Sequence, residues 1–399
     1  MKTVVIVGGS FAGLCTAHRI LKQATKTGLS VKVVVVSPNS HFYWNVAAPR
    51  ALLPGQIADD KIFKSIAEGF KQYLASQFEF VLGSAKSLDV AARKVEISTG
   101  PGGNGATTSL DYDFLILATG SRTKEGSDGV QMPYKNVGST EETKDALHEL
   151  QEAVKRSKTI VIAGGGPTGV ETAGEIAFEY GRAKKVILVS FYSFPFPLLH
   201  RKSNKFDFLT GEQVASGQTV LDGAMTSVSN SAISILKDLK VDLRLQTKVS
   251  SSRQVTPDGP QELILSDGSH LTADLYIPTH GITPNSSYIP SQYLNADGFV
   301  VVNDHLKIKG LENEPVWAIG DVSDREAPQF MFVDRQSNHV VKSLFLALEK
   351  KDPVPYKMGF TGMLFIFFLY PISVPGLDLS RFFNHVAYSM SCRNGSSNR

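Results

Sequence analysis

Cysteine is almost missing from this chain. Its 399 residues hold two, Cys15 and Cys392, far apart and neither in a C-x-x-C. A disulfide-stapled secreted scaffold needs more, and a zinc site needs several ligands at short spacing. With no C-x-x-C, a redox dithiol on the thioredoxin-reductase pattern is absent. The expectation is a reducing environment and no metal. Charge of one sign is also lacking: 41 basic residues face 38 acidic ones, a formal charge of +3. No basic run interrupts that balance, so nucleic acid is not an expected partner. The apolar run Val4-Val5-Ile6-Val7 begins so early that no signal or Arg-rich transit peptide is expected before it. Met1-Lys2 likewise argues against myristoylation. Together these absences point to a cytoplasmic protein.

What is present is ample core material. Hydrophobic residues make up 42% and charged ones 20%, ordinary for a globular chain of two or three domains. Two segments share one grammar of β-branched run, glycine cluster and helical pattern. The first is Val4–Val7 followed by Gly8-Gly9-Ser10-Phe11-Ala12-Gly13; the second is Ile160–Ala163 followed by Gly164-Gly165-Gly166-Pro167-Thr168-Gly169. Each precedes a further apolar strand, at 31–36 and 186–189, which makes a βαβ unit. Later strands recur in the same order, at 78–82, 95–97 and 114–117, then at 241–245, 263–265 and 275–277. The glycine-rich stretch 100–105 reads as a loop. The segment Val316-Trp317-Ala318 still needs a sheet to join, so the second unit is expected to interrupt the first.

Glycines at this spacing let backbone approach a dinucleotide pyrophosphate, which a helix N-terminus binds through free N–H groups and its dipole. Gly164, Gly166 and Gly169 match G-x-G-x-x-G; Gly8 and Gly13 match, but Ser10 stands at the middle position. The acid expected for the ribose hydroxyls is replaced twice, by Ser37 and by Ser190. Without that acid a 2′-phosphate is not repelled, so NADPH and NADH both stay open. Arg201 and Lys202 are candidates for such a phosphate or for plain solvated charges.

These motifs, with Ala118-Thr119-Gly120-Ser121, Thr283-Pro284-Asn285 and Ala318-Ile319-Gly320-Asp321, carry a family resemblance over about residues 1–350. The chain resembles the two-dinucleotide-fold flavoproteins of the pyridine-nucleotide-disulfide oxidoreductase superfamily. It is most similar to the branch holding apoptosis-inducing-factor-like proteins, ferroptosis suppressor protein and type II NADH dehydrogenases. The stretch from Ser37 to Asn45 and Ala48-Pro49-Arg50 resemble its fungal members. The resemblance implies an α/β fold with two Rossmann-like dinucleotide-binding domains of glutathione-reductase type, the second inserted in the first. Residues 1–121 and 282–350 would bind FAD, 122–281 would bind NADH or NADPH, and 351–399 would form a divergent C-terminal segment.

On that resemblance Gly8, Gly9, Ser10, Phe11, Ala12, Gly13, Ser37, Ala118, Thr119 and Gly120 belong to the flavin site. Asp321, with the Val322 backbone nearby, would meet the ribityl and pyrophosphate region. Pro49 and Arg50 would approach the isoalloxazine, Arg50 to steady negative charge on the reduced ring, or else to pair with a carboxylate. Gly164, Gly166 and Gly169 would hold the pyridine nucleotide, with Glu171 beside the nicotinamide. Glu175, one turn on, reads as an exposed helix charge.

Hydride transfer asks the protein mainly for positioning, and no catalytic triad is expected. With no dithiol, electrons would leave the flavin for a quinone or other small acceptor; His280 is a candidate proton relay or a packed histidine. A tailoring oxidoreductase of fungal secondary metabolism and a flavin-loaded redox-signalling protein are the other readings. From Met358 to Leu377 no charged residue occurs, and Pro371 and Pro375 break the run. That favours a membrane-surface anchor, at the mitochondrial outer surface or another lipid membrane, or a buried cover, over a spanning helix. An erroneous gene model is a third reading.

Overall fold

Val4, Val5, Ile6 and Val7 are at most 2% exposed, and β-branched residues buried on both faces form the centre of a parallel sheet. The computed structural model describes residues 1–124, 131–191, 219–221, 224–254, 256 and 259–358. Strand β1 (Lys2–Val7) leads through helix α1 (Phe11–Thr27) to β2 (Val31–Ser37), parallel to it with Val4 opposite Val33. A four-residue helix α2 (Ala48–Ala51) follows. Strand β3 (Phe78–Asp89) has two partners. Its first half runs parallel to β2, and from Gly83 onward it runs antiparallel to β4 (Lys94–Thr99). Strands β5 (Thr107–Asp111) and β6 (Phe114–Leu117) follow, β6 lying on the other side of β1. Between β4 and β5 the glycine stretch forms one 3-10 turn at Pro101–Gly103.

The chain then leaves this sheet. Helix α3 (Thr140–Arg156) opens on a Ser139/Glu142 capping box, which satisfies two otherwise unpaired amides. It precedes β7 (Thr159–Ala163), α4 (Pro167–Tyr180) and β8 (Lys185–Ser190), the second βαβ unit. Helix α5 (Thr226–Asp238) and β9 (Asp242–Leu245) extend it. A three-stranded antiparallel sheet of β10 (Val249–Gln254), β11 (Gln261–Leu265) and β12 (His270–Ala273) comes next. Strand β13 (Leu275–Pro278) then returns beside β7, so the parallel sheet runs β9-β8-β7-β13.

The short strand β14 (Val316–Ala318) settles the topology. It pairs with β6, Trp317 opposite Ile116, in the first sheet. That sheet therefore reads β14-β6-β1-β2-β3-β4-β5, and the second module interrupts the first. The two crossings run side by side, Ser121–Thr123 antiparallel to Ile282–Pro284. Helix α6 (Phe330–Leu348) closes the fold against α1, where Thr16 Oγ1 lies 2.9 Å from Ser337 Oγ. Among the described residues no helix is long and apolar enough to cross a membrane. The apolar stretch beyond Met358 and the polar end from Ser391 lie outside the described residues.

Candidate functional site

The two glycine turns have the same geometry. Gly8 and Gly164 each have φ +129°, a backbone region that side chains rarely enter. A Cβ on Gly8 would sit 2.1 Å from the Ala118 carbonyl oxygen, and one on Gly164 2.6 Å from Thr279 Oγ1. On the helices, a Cβ on Gly13 would lie 1.8 Å from the Gly8 oxygen and one on Gly169 1.9 Å from the Gly164 oxygen. So the first turn of each helix is pressed close onto the backbone of its strand turn. The middle position behaves differently. Gly166 is extended, and a Cβ there would meet nothing within 4 Å. Ser10 at the matching place is also extended, with φ −122° and ψ −158°. The position needs no left-handed conformation, which explains how serine replaces glycine without altering the turn.

Both helices start with amides that no side chain caps and no acid in the first turn. Such ends attract anions. They open toward one cleft of about 710 Å³, lined by Gly8, Gly9, Ser10, Phe11, Ala12, Ser37, Pro49, Ala118, Thr119, Gly120 and Asp321 of the first module. Pro167, Thr168, Glu171 and Thr279 line it from the second. Gly13, Gly164, Gly166 and Gly169 are not on its wall; they shape the turns behind it.

Three expectations need correcting. Arg50 does not line the cleft. Its Nε donates to both Glu175 oxygens at 3.1 and 3.0 Å and its Nη2 to Oε1 at 2.9 Å. The carboxylate-paired alternative is the one observed, because α2 lies against α4. Glu175 is accordingly not an exposed charge but 4% exposed. Val322 is fully buried in the core, its carbonyl accepting from Val300 N, so only Asp321 of that pair faces the cleft. The serines also differ from a simple ribose-binding picture. Ser37 Oγ accepts from Asn39 N, and Ser190 Oγ lies 3.5 Å from the Thr219 oxygen, away from the cleft. Gly9 and Gly165 are needed there, since a Cβ on either would strike Ser37 or Ser190.

Several site residues escaped sequence reasoning. Lys135 Nζ donates to Asp321 Oδ2 at 2.6 Å, and Ser121 Oγ donates to the same oxygen at 3.0 Å. Asn39 lines the cleft with Oδ1 buried and unpaired among the described residues, a polar group that awaits a donor. Gly102, in the 3-10 turn, reaches the same wall and donates to the Pro38 oxygen. The loop carrying Asp321 is pinned from below: Gly320 N donates to Gln336 Oε1, Gln336 Nε2 to Glu326, and the Tyr356 hydroxyl to the same carboxylate at 2.9 Å. A glycine pattern carries no trace of these contacts.

Electrostatics divides the cleft. Burial, then the neighbouring Glu175 carboxylate, pushes the half-buried Glu171 up to about 8. His280, on the wall near Thr279, is lowered by burial and by Lys124, which favours its neutral form. No cluster of metal-ligating groups occurs among the described residues.

Two dinucleotide modules facing one cleft define an oxidoreductase fold. Residues 2–340 match the pyridine nucleotide-disulphide oxidoreductase family, and the chain belongs to that family. It is 48% identical over 365 residues to Oxidoreductase ptaL of Pestalotiopsis fici, covering 91% of this chain and 88% of that protein. Ferroptosis suppressor protein 1 of Homo sapiens is 29% identical over 363 residues, covering 89% and 83%. In fold it is similar to a water-forming NADH oxidase of Lactobacillus brevis, with a TM-score of 0.66 at 18% identity, covering 89% and 71%.

Proposed function

We propose that this protein is an FAD-dependent NAD(P)H oxidoreductase that passes electrons to a small, quinone-like acceptor. The observation that carries this is the single cleft walled by both modules, Gly8–Ala12 and Asp321 on one side, Pro167, Thr168 and Glu171 on the other. Its residues fit FAD. The cradle behind Gly8 and Gly13 has no space for a Cβ, and the orphaned Asn39 Oδ1 accepts a hydroxyl or amine. When bound, the flavin supplies hydride acceptance and onward electron delivery.

The protein's own part is holding and shielding. The amides at the start of α1 bind the flavin diphosphate, and those at the start of α4 the pyridine nucleotide diphosphate. Asp321 accepts from a ribityl hydroxyl, a strong charge-assisted bond. Lys135 neutralises Asp321 so that this carboxylate does not repel the nearby diphosphate. Replacing Lys135 with glutamine is expected to weaken flavin retention roughly tenfold, read as flavin released on dilution; unchanged retention would contradict the assignment. Pro49 and Phe330 line the cleft as apolar groups that keep water from the reacting rings.

Cys15 and Cys392 do not form a close-set pair in sequence, so electrons leave the flavin without a dithiol relay. NADH and NADPH both remain substrates of this reading, because no acid stands at Ser190; Arg201 and Lys202 lie outside the described residues. The reading includes a cytoplasmic location with the C-terminal apolar segment resting on a membrane. The deciding experiment is the absorbance spectrum of the purified protein, before and after anaerobic NADH and then NADPH, followed by turnover with a quinone panel. A yellow protein bleached by either nucleotide is expected. A protein that stays colourless with excess FAD refutes the flavin; turnover no faster than with oxygen alone refutes the quinone.

A further inference from the structure

Helix α4 carries three carboxylates at four-residue intervals, Glu171, Glu175 and Glu179. That spacing stacks them along one face. Opposite lies the α2 segment of the other module, where Arg50 grips Glu175 in a forked contact and Gln56 Nε2 donates to Glu179 at 3.1 Å. Glu171, innermost of the three, stands on the cleft wall.

The guanidinium is thus committed to the middle acid of the row, Glu175. Arg50 favours ionised Glu175, against the burial that raises that group. Burial disfavours ionisation of Glu171, and the Glu175 carboxylate one turn away adds to it. Other ionisable groups face the same space: Lys124, Lys135, Arg122, His280 and Asp321 line the cleft, with Lys135 committed to Asp321 and Arg122 donating to Asn285. Among all of these Glu175 is the neighbour that acts on Glu171.

We propose that Arg50 and Glu175 form a positioning pair across the two modules that keeps the Glu171 carboxyl neutral, as a hydrogen-bond donor to the pyridine nucleotide. A neutral carboxyl donates an O–H and leaves the anionic nucleotide unrepelled; a carboxylate does neither. Arg50 therefore acts on the cleft through Glu175 and Glu171 and not by touching the flavin. The inference rests on the NAD(P)H reading above and adds to it the device that sets the nucleotide's pH dependence.

The sign follows directly. Glu171 is protonated below about 8 and ionised above it, so nucleotide binding weakens as pH rises through that value. Removing the negative charge at position 175 lowers the group, so the weakening begins at lower pH. The test is anaerobic stopped-flow reduction of the flavin by NADH across pH, with no acceptor present, giving the apparent Kd at each pH. The unaltered holoenzyme is expected to lose affinity above pH 8. Glu175→Gln is expected to shift that limb down by roughly one unit, Glu175→Asp to restore much of it, and Glu171→Gln to abolish it. A Glu175→Gln protein that retains flavin but keeps the limb in place, or loses affinity equally at every pH, overturns the proposal. Should that variant not fold, the infrared band of a protonated carboxyl decides: expected at pH 7 in the unaltered protein and missing in Glu171→Gln, its absence from the unaltered protein overturns the idea. If the unaltered flavin is not reduced by NADH at all, the oxidoreductase reading has failed instead.

Discussion

Gly13→Ala is expected to yield a folded protein that purifies without its yellow colour. The added Cβ would lie 1.8 Å from the Gly8 carbonyl oxygen and 3.3 Å from Ile6 Cγ2. Gly8 cannot retreat, because its own Cα already faces the Ala118 carbonyl across the sheet. Helix α1 must therefore lift from β1 by an ångström or more, taking its N-terminal amides away from the cleft. Overpacking of this kind costs about 1–3 kcal/mol, so flavin should bind roughly ten- to a hundredfold more weakly. The ratio of visible to ultraviolet absorbance, with circular dichroism as a check on folding, measures it. Full flavin occupancy in a folded variant would show that the turn is structural only.

Gly169→Ala is the matched experiment in the second module and has the opposite signature. Its Cβ would lie 1.9 Å from the Gly164 oxygen and 2.6 Å from Thr279 Oγ1, so α4 is displaced by the same mechanism. The variant should keep its flavin, since the first cradle is untouched. Flavin reduction by NADH or NADPH should fall at least tenfold by the same overpacking cost, while a chemical reductant still bleaches it. Loss of flavin from both variants would show that the two cradles do not serve separate nucleotides.

The pairing of these variants reflects what could be read without coordinates. The β-branched strands and both glycine turns follow local rules, since each depends on residues adjacent in the chain. The return of Val316–Ala318 is expected only from the order in which strands recur, and its partner strand lies about 200 residues away. Even the exception at Ser10 is local: the middle position is extended in both turns. The readings that failed depend on which elements meet. The family resemblance leaves Arg50 open between a flavin contact and a carboxylate pair, and α4 brings Glu175 to it from 125 residues away. Glu175 has the pattern of a solvent charge until α2 covers it.

The chain's order of residues, taken alone, determined that two tight glycine turns follow β-branched strands and that no C-x-x-C accompanies them. Short-range periodicity and the steric demands of glycine suffice for that. Tertiary structure decided where the charges go: Lys135 to Asp321 and Arg50 to Glu175, with Glu171 left in a setting where burial and then Glu175 raise its pKa. Those assignments turn on distances between distant segments and on the burial that their contact creates, and neither quantity is encoded in any local stretch.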